Sequence, residues 1–226
     1  MVERFLENGI VINNKQNDAF CEYYNLLVFY NEKFNITAIT DREEVIKKHF
    51  IDSSIGAKYI KEGALIDVGS GGGFPAIPIK ILKEDLSVTL LEATGKKCEF
   101  LKEVVKTLKL KDVSVLNGRA EDYAKDLKYR EKFDYCTARA VARLNTLCEY
   151  CMPFVKVNGK FIAFKGEIDE ELKESENAIN ILGGKINFVD KYMLYDAKRS
   201  IVVIDKIKNT EKKYPRGNGK ERKNPL

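Results

Sequence analysis

Between Asp67 and Gly73 the chain reads Asp-Val-Gly-Ser-Gly-Gly-Gly. Four glycines in five positions leave a stretch of backbone without Cβ atoms, so main-chain groups can lie directly against a ligand. The run follows Ala64-Leu65-Ile66, which reads as a short buried strand. It precedes Phe74 to Leu82, which reads as a helix with Pro near its first turn. A strand, a glycine loop and a helix in that order make a site for a nucleotide-type ligand.

Spacing narrows the ligand. The dinucleotide fingerprint Gly-x-Gly-x-x-Gly, read from Gly69, needs glycine where Phe74 stands. Read from Gly71, its last place falls on Ala76, a substitute the pattern tolerates. The Gly-Lys-Ser/Thr of a P-loop is absent. An acid followed by alternate glycines fits better: Asp67, Gly69, Gly71 and Gly73. That series resembles the first motif of class I S-adenosylmethionine-dependent methyltransferases. A second acid, Glu92, ends the next apolar run, Ser87 to Leu91. A carboxylate about 20 residues past such a loop accepts hydrogen bonds from ribose hydroxyls. It does not separate adenosylmethionine from NAD, because both carry an adenosine ribose.

The elements that must hold these residues form three parts. Residues 1–61 read as helical, with Phe20, Tyr23, Tyr24, Leu27 and Tyr30 on one face as core. Thr40-Asp41-Arg42-Glu43 reads as a capping box that opens a helix through His49. Residues 62–205 alternate strand and helix. Val113–Leu116, Phe133–Ala138 and Lys160–Phe164 read as strands; 140–152 and Ile168–Leu182 read as helices. Two last strands, about 185–195 and 200–206, lie too close for a crossover helix and are expected to form an antiparallel pair. The expected fold is α/β: a seven-stranded, mostly parallel, Rossmann-like sheet with a helical N-terminal extension and a basic tail.

Residues 206–226 hold eight Lys and Arg against two Glu. That surplus of six exceeds the whole chain's net charge of +5, so residues 1–205 carry about −1. Such a segment is not expected to fold alone, and it attracts phosphates through counterion release. At 226 residues, 44% apolar, the chain can hold one full α/β domain plus an appendage. It shows no bilayer-spanning run and no signal segment at its start. Five scattered cysteines, an odd number, are expected to be reduced thiols in a cytoplasm. Cys148-x-x-Cys151 lies in an apparent helix without a second pair and reads as structural. His49 is the only histidine, so no metal cluster is expected.

Beyond the loop, the chain resembles the ribosomal RNA small subunit methyltransferase G family, also called glucose-inhibited division protein B. The resemblance runs through Phe34-Asn35-Ile36-Thr37-Ala38, His49-Phe50-Ile51-Asp52-Ser53, the glycine loop with Phe74-Pro75, and Leu91-Glu92-Ala93. It continues through Lys96-Lys97, Arg119-Ala120-Glu121, Ala138-Arg139-Ala140, Lys165-Gly166 and Lys213-Tyr214-Pro215-Arg216. Gly72, where some members have Pro, and Glu92, where many have Asp, are minor departures.

The family implies methyl transfer from S-adenosyl-L-methionine to N7 of one guanine in 16S ribosomal RNA, free or in a small-subunit particle. It implies no membrane and no obligate protein partner. By that resemblance Gly69, Gly71, Gly73 and Phe74 line the methionine half of the cofactor, and Asp67 sits beneath the loop. Glu92 and the adjacent Ala93 take the ribose, and Ala120 and Glu121 flank the adenine. Arg139 faces the transfer region, toward the cofactor carboxylate or an RNA phosphate. Lys165, His49, Lys213 and Arg216 are candidate RNA contacts. For His49 a packing role, paired with Asp52, stands slightly ahead. No general base is expected, because guanine N7 carries no proton; positioning falls to Arg139 and Lys165.

Overall fold

A computed structural model describes all residues from Met1 to Leu226. Helices α1 (Val2–Glu7) and α2 (Asn14–Phe34) open the chain. The Asn13 side chain and Gln16 form a reciprocal capping box at the start of α2. Next comes α3 (Arg42–Val45), a π-helical turn (Ile46–Ile51) and α4 (Asp52–Ile55). The cap of α3 is Asp41, one residue later than the sequence suggests: its carboxylate accepts from the Glu44 N–H at 3.0 Å. The helical path also runs on past His49 to Ile55.

Strand and helix then alternate: β1 (Ala64–Val68), α5 (Ala76–Leu82), β2 (Ser87–Glu92), α6 (Gly95–Thr107), β3 (Val113–Asn117), α7 (Ala120–Tyr123) and β4 (Phe133–Arg139). The chain continues with α8 (Leu144–Cys151), β5 (Val155–Lys165), α9 (Asp169–Ile181), β6 (Gly184–Leu194), β7 (Ala197–Lys206) and α10 (Lys220–Lys223). The strands form one sheet in the order β3-β2-β1-β4-β5-β7-β6. The first five in sequence pair in parallel, and β7 runs antiparallel to both its neighbours. This is the sheet that the spacing of the last two strands implies.

Alternation along the strands builds two cores. Leu65, Leu90, Phe164 and Val203 face one layer, with Phe20, Tyr23, Phe50 and Ile77 packed on them. Ile66, Cys136, Ala163 and Val202 face the other, beneath Leu147, Cys151 and Ile179. The N-terminal helices therefore share the first core with the sheet. Four of the five cysteines are buried, and all five are free.

Residues 140–143 were expected to begin the helix, but they form a bent connection with Ala140 at φ +57°, and α8 starts at Leu144. The basic tail also departs from expectation. It folds back onto α8 and the turn before β4 and does not hang free. Arg130 donates to the carbonyls of Thr210 at 2.8 Å and Tyr214 at 2.9 Å. Arg216 forks onto both oxygens of Glu149, with Nη2 at 2.7 Å. Glu149 is fully buried and Tyr214 nearly so. The reason lies in α8, whose buried face carries Asn145, Thr146 and Glu149. Asn145 is met by Thr146 N–H within α8, and the tail supplies partners for Thr146 and Glu149.

Candidate active site

The parallel strands end on one edge of the sheet, and the loops there enclose a cavity of about 380 Å³. Glycine serves two different ends in its floor. Gly71 has φ +56°, and a Cβ there would point into the cavity, meeting nothing nearer than the Gly69 carbonyl oxygen at 3.8 Å. Gly73, at φ +90°, is hemmed in by Ile77 and the Tyr23 hydroxyl, so its missing side chain serves packing. Gly73 accordingly does not line the cavity, although the motif had placed it on the ligand.

The loop is held from three sides. Gly69 and Ser70 N–H groups donate to the Leu91 carbonyl at 2.8 and 3.1 Å. Glu92 accepts from Gly71 N at 2.9 Å through one oxygen and from Thr94 N at 2.7 Å through the other. Tyr23, on α2, donates its hydroxyl to the Gly72 carbonyl. Of the stripe read as core, Phe20, Tyr23 and Leu27 are buried and Tyr24 and Tyr30 half-buried, yet the Tyr23 hydroxyl reaches the loop, which spacing alone does not show.

Asp67 lies beneath the loop, fully buried, and does not reach the cavity. Its Oδ1 accepts from Thr137 Oγ1 at 2.7 Å, tying β1 to β4, and its Oδ2 has no partner. Burial pushes this carboxyl up to about 6, against the opposing pull of the Thr137 and Ser70 hydroxyls.

Phe74 lines the cavity with His49 stacked on it, ring centres 4.5 Å apart. The Arg139 guanidinium lies over the same phenyl ring at 5.0 Å. Arg139 donates to the Lys48 carbonyl at 3.0 Å and to Asp52 Oδ2 at 3.2 Å. Its Nη2 stands 3.1 Å from His49 Nδ1. The same Nδ1 lies 3.2 Å from the Lys48 carbonyl, and Nε2 lies 2.9 Å from Thr37 Oγ1, so the ring bridges Arg139, the backbone and Thr37. Burial first and Arg139 second hold the imidazole near a pKa of about 3, so it is neutral at ordinary pH. The expected His49–Asp52 pair does not form, because Arg139 takes Asp52 and stands between them. Asp52 also accepts from Tyr192 at 3.2 Å and lies 3.4 Å from Arg199.

Of the residues assigned to the cofactor, Gly69, Gly71, Phe74, Glu92, Ala93, Ala120, Glu121 and Arg139 surround this one cavity. Thr37, Lys97, Tyr150 and Arg222 line it too and were not assigned. Thr37 stood inside the Asn-Ile-Thr segment, a legible signal; nothing local marks Tyr150 or Arg222. A second cavity of about 370 Å³ adjoins the first and shares His49, Arg139 and Ala140 with it. Lys165 lies there, donating to the Ala142 carbonyl at 2.9 Å and paired with Glu171 at 2.7 Å. Lys213, exposed, pairs with Glu211 at 2.9 Å, far from neither solvent nor the tail's surface. Arg216 is paired with Glu149 through Nε and Nη2, with its side chain 24% exposed.

The donor set fits a nucleoside with a charged amino-acid arm. Gly71 leaves room against the backbone, and Glu92 keeps lone pairs beyond the two it uses. The sheet order and this glycine loop define a class I S-adenosylmethionine-dependent methyltransferase. A family model described as rRNA small subunit methyltransferase G matches residues 16–202. The ribosomal RNA small subunit methyltransferase G of Acetivibrio thermocellus is 50% identical over 222 residues, covering 96% of this chain and 92% of the relative. That of Clostridium botulinum is 49% identical over 220 residues, covering 95% and 92%. Among solved structures, the ribosomal protein L11 methylase of Lactobacillus delbrueckii is similar in fold, with a TM-score of 0.55 at 17% identity over 71% of this chain and 79% of that one. The chain belongs to the rRNA small subunit methyltransferase G family.

Proposed function

We propose that this protein methylates N7 of a specific guanine in 16S ribosomal RNA, within the small subunit or an assembly precursor, in the cytoplasm. Arg139 carries the reading: it stands in the wall common to a nucleoside-shaped cavity and a second one lined by both cations and carboxylates. The first takes S-adenosyl-L-methionine, with its methionine arm by Gly69 and Gly71, its ribose at Glu92 and Ala93, and its base near Ala120 and Glu121. Bound there, the cofactor supplies an electrophilic methyl on a sulfonium. The second cavity takes the guanine.

Guanine N7 offers a free lone pair on the base edge, so no residue has to remove a proton. The neutral His49 suits that requirement, since it is a poor base. What the chain does is orient. Phe74 and His49 give a flat wall, and Arg139, locked by Lys48, Asp52 and His49, fixes the boundary between donor and acceptor. Alignment of this kind supplies several kcal/mol of rate enhancement, on the order of 7 or more in the best cases. Lys165 and the nearby Arg199 line that cavity, where phosphates beside the target would compete with their present partners Glu171 and Asp52.

No helix is long and apolar enough to cross a membrane. The decisive experiment maps N7-methylguanine by chemical cleavage of 16S RNA from cells with and without this protein. One cleavage site should disappear in the deletion strain and return with the wild-type gene. An unchanged cleavage pattern would sink the reading.

A further inference from the structure

We infer that the C-terminal segment completes the cofactor site, with Arg222 lying across the adenine face of S-adenosylmethionine. The inference rests on the cofactor reading of the first cavity. The tail's charge had pointed toward RNA instead.

The ligand's direction follows from the strand order. Its amino-acid arm belongs at the loop after β1, and its ribose at Glu92 on the end of β2. The next strand outward is β3, and the residues just past it, Gly118 to Glu121, line the same cavity. The base therefore lies at that end. There two further side chains face the cavity, Tyr150 from α8 and Arg222 from α10. Tyr150 is nearly buried, and Arg222 is exposed at the rim. A planar guanidinium with free faces stacks on an aromatic base, and a nucleobase offers such a face.

The segment is built to hold that arginine in place. Lys206, fully buried, donates to the Met152 carbonyl at 2.8 Å. Thr210 N–H donates to Glu131 at 2.8 Å, and Arg216 is forked on Glu149. Thr146 Oγ1 donates to the Glu221 carbonyl at 2.9 Å, one residue before Arg222. Glu221 is itself buried and accepts from Gly217 N–H. A segment tied to the body of the protein at Lys206, Thr210, Arg216 and Glu221 does not sample solution freely.

The test compares wild type, Arg222→Ala and Arg222→Lys by calorimetry, without RNA. The probes are S-adenosylhomocysteine and methylthioadenosine, which lacks the amino-acid arm. Arg222→Ala should weaken both by the same factor, about fivefold to tenfold for a lost cation–π contact. Arg222→Lys should retain part of the affinity, and thermal midpoints should agree because the side chain is exposed. Unchanged affinity in Arg222→Ala overturns the inference, as does a loss seen with S-adenosylhomocysteine alone. A wild type that binds neither probe overturns the cofactor reading itself, a separate result.

Discussion

Asp67 shows how one buried group can serve a site it never touches. Its carboxylate ties β1 to β4 directly under the loop, and half of it is left without a partner. A carboxyl raised from 3.8 to about 6 favours the proton in the folded state. Its contribution to stability is therefore complete below pH 3.8 and is lost as pH rises through about 6. The loss is at most about 3 kcal/mol, since one pKa unit corresponds to about 1.4. Denaturant unfolding of Asp67→Asn should lack this slope, while its Oδ1 still accepts from Thr137. The two proteins should diverge between pH 4 and pH 6 and run parallel above it. His49 tilts stability the other way, destabilising the fold as pH falls from 6.5 toward 3, but it does so equally in both and cancels. Parallel curves throughout would show that Asp67 is not the titrating group.

At the scale of elements, α8 is the piece whose sequence misleads. Cys148 and Cys151 invite a reading in terms of thiols, yet both are inert, with burial pushing their pKa values up. The neighbours that matter are Thr146 and Glu149, which receive the tail. Arg216→Ala would leave the Glu149 carboxylate buried without its cation, and should destabilise the protein by about 3 kcal/mol. Thermal unfolding would read this as a drop of roughly 10 °C. A drop of a degree or less would mean that the pair is solvated in practice. The strands, the loop and the closing antiparallel pair were legible because period-two runs and glycine placement are local signals. The π-helical turn was not, since nothing in Ile46 to Ile51 distinguishes it from an ordinary helix. Nor was the docking of the tail, because charge surplus says nothing about long-range partners such as Glu149, 67 residues from Arg216. Tyr23 was legible as core but not as a brace for Gly72, since its partner comes from another element.

Over the whole molecule, charge and cavity face the same edge of the sheet, but the tail's surplus of six overstates what nucleic acid can meet. Lys206 is buried, where burial lowers it to about 8, and Arg216 and Lys213 are paired. Lys220 and Lys223 remain exposed beside the cavity's mouth, with no acidic partner. Replacing both by Ala should lower the slope of log affinity for ribosomal RNA against log salt by about 1 to 2, while cofactor affinity stays the same. An unaltered slope would place the RNA elsewhere. The cavity's walls run from Ile36 to Arg222, nearly the full length of the chain. A pocket whose walls are drawn from so wide a span exists only when both ends of that span are in place, so the site forms together with the fold as a whole.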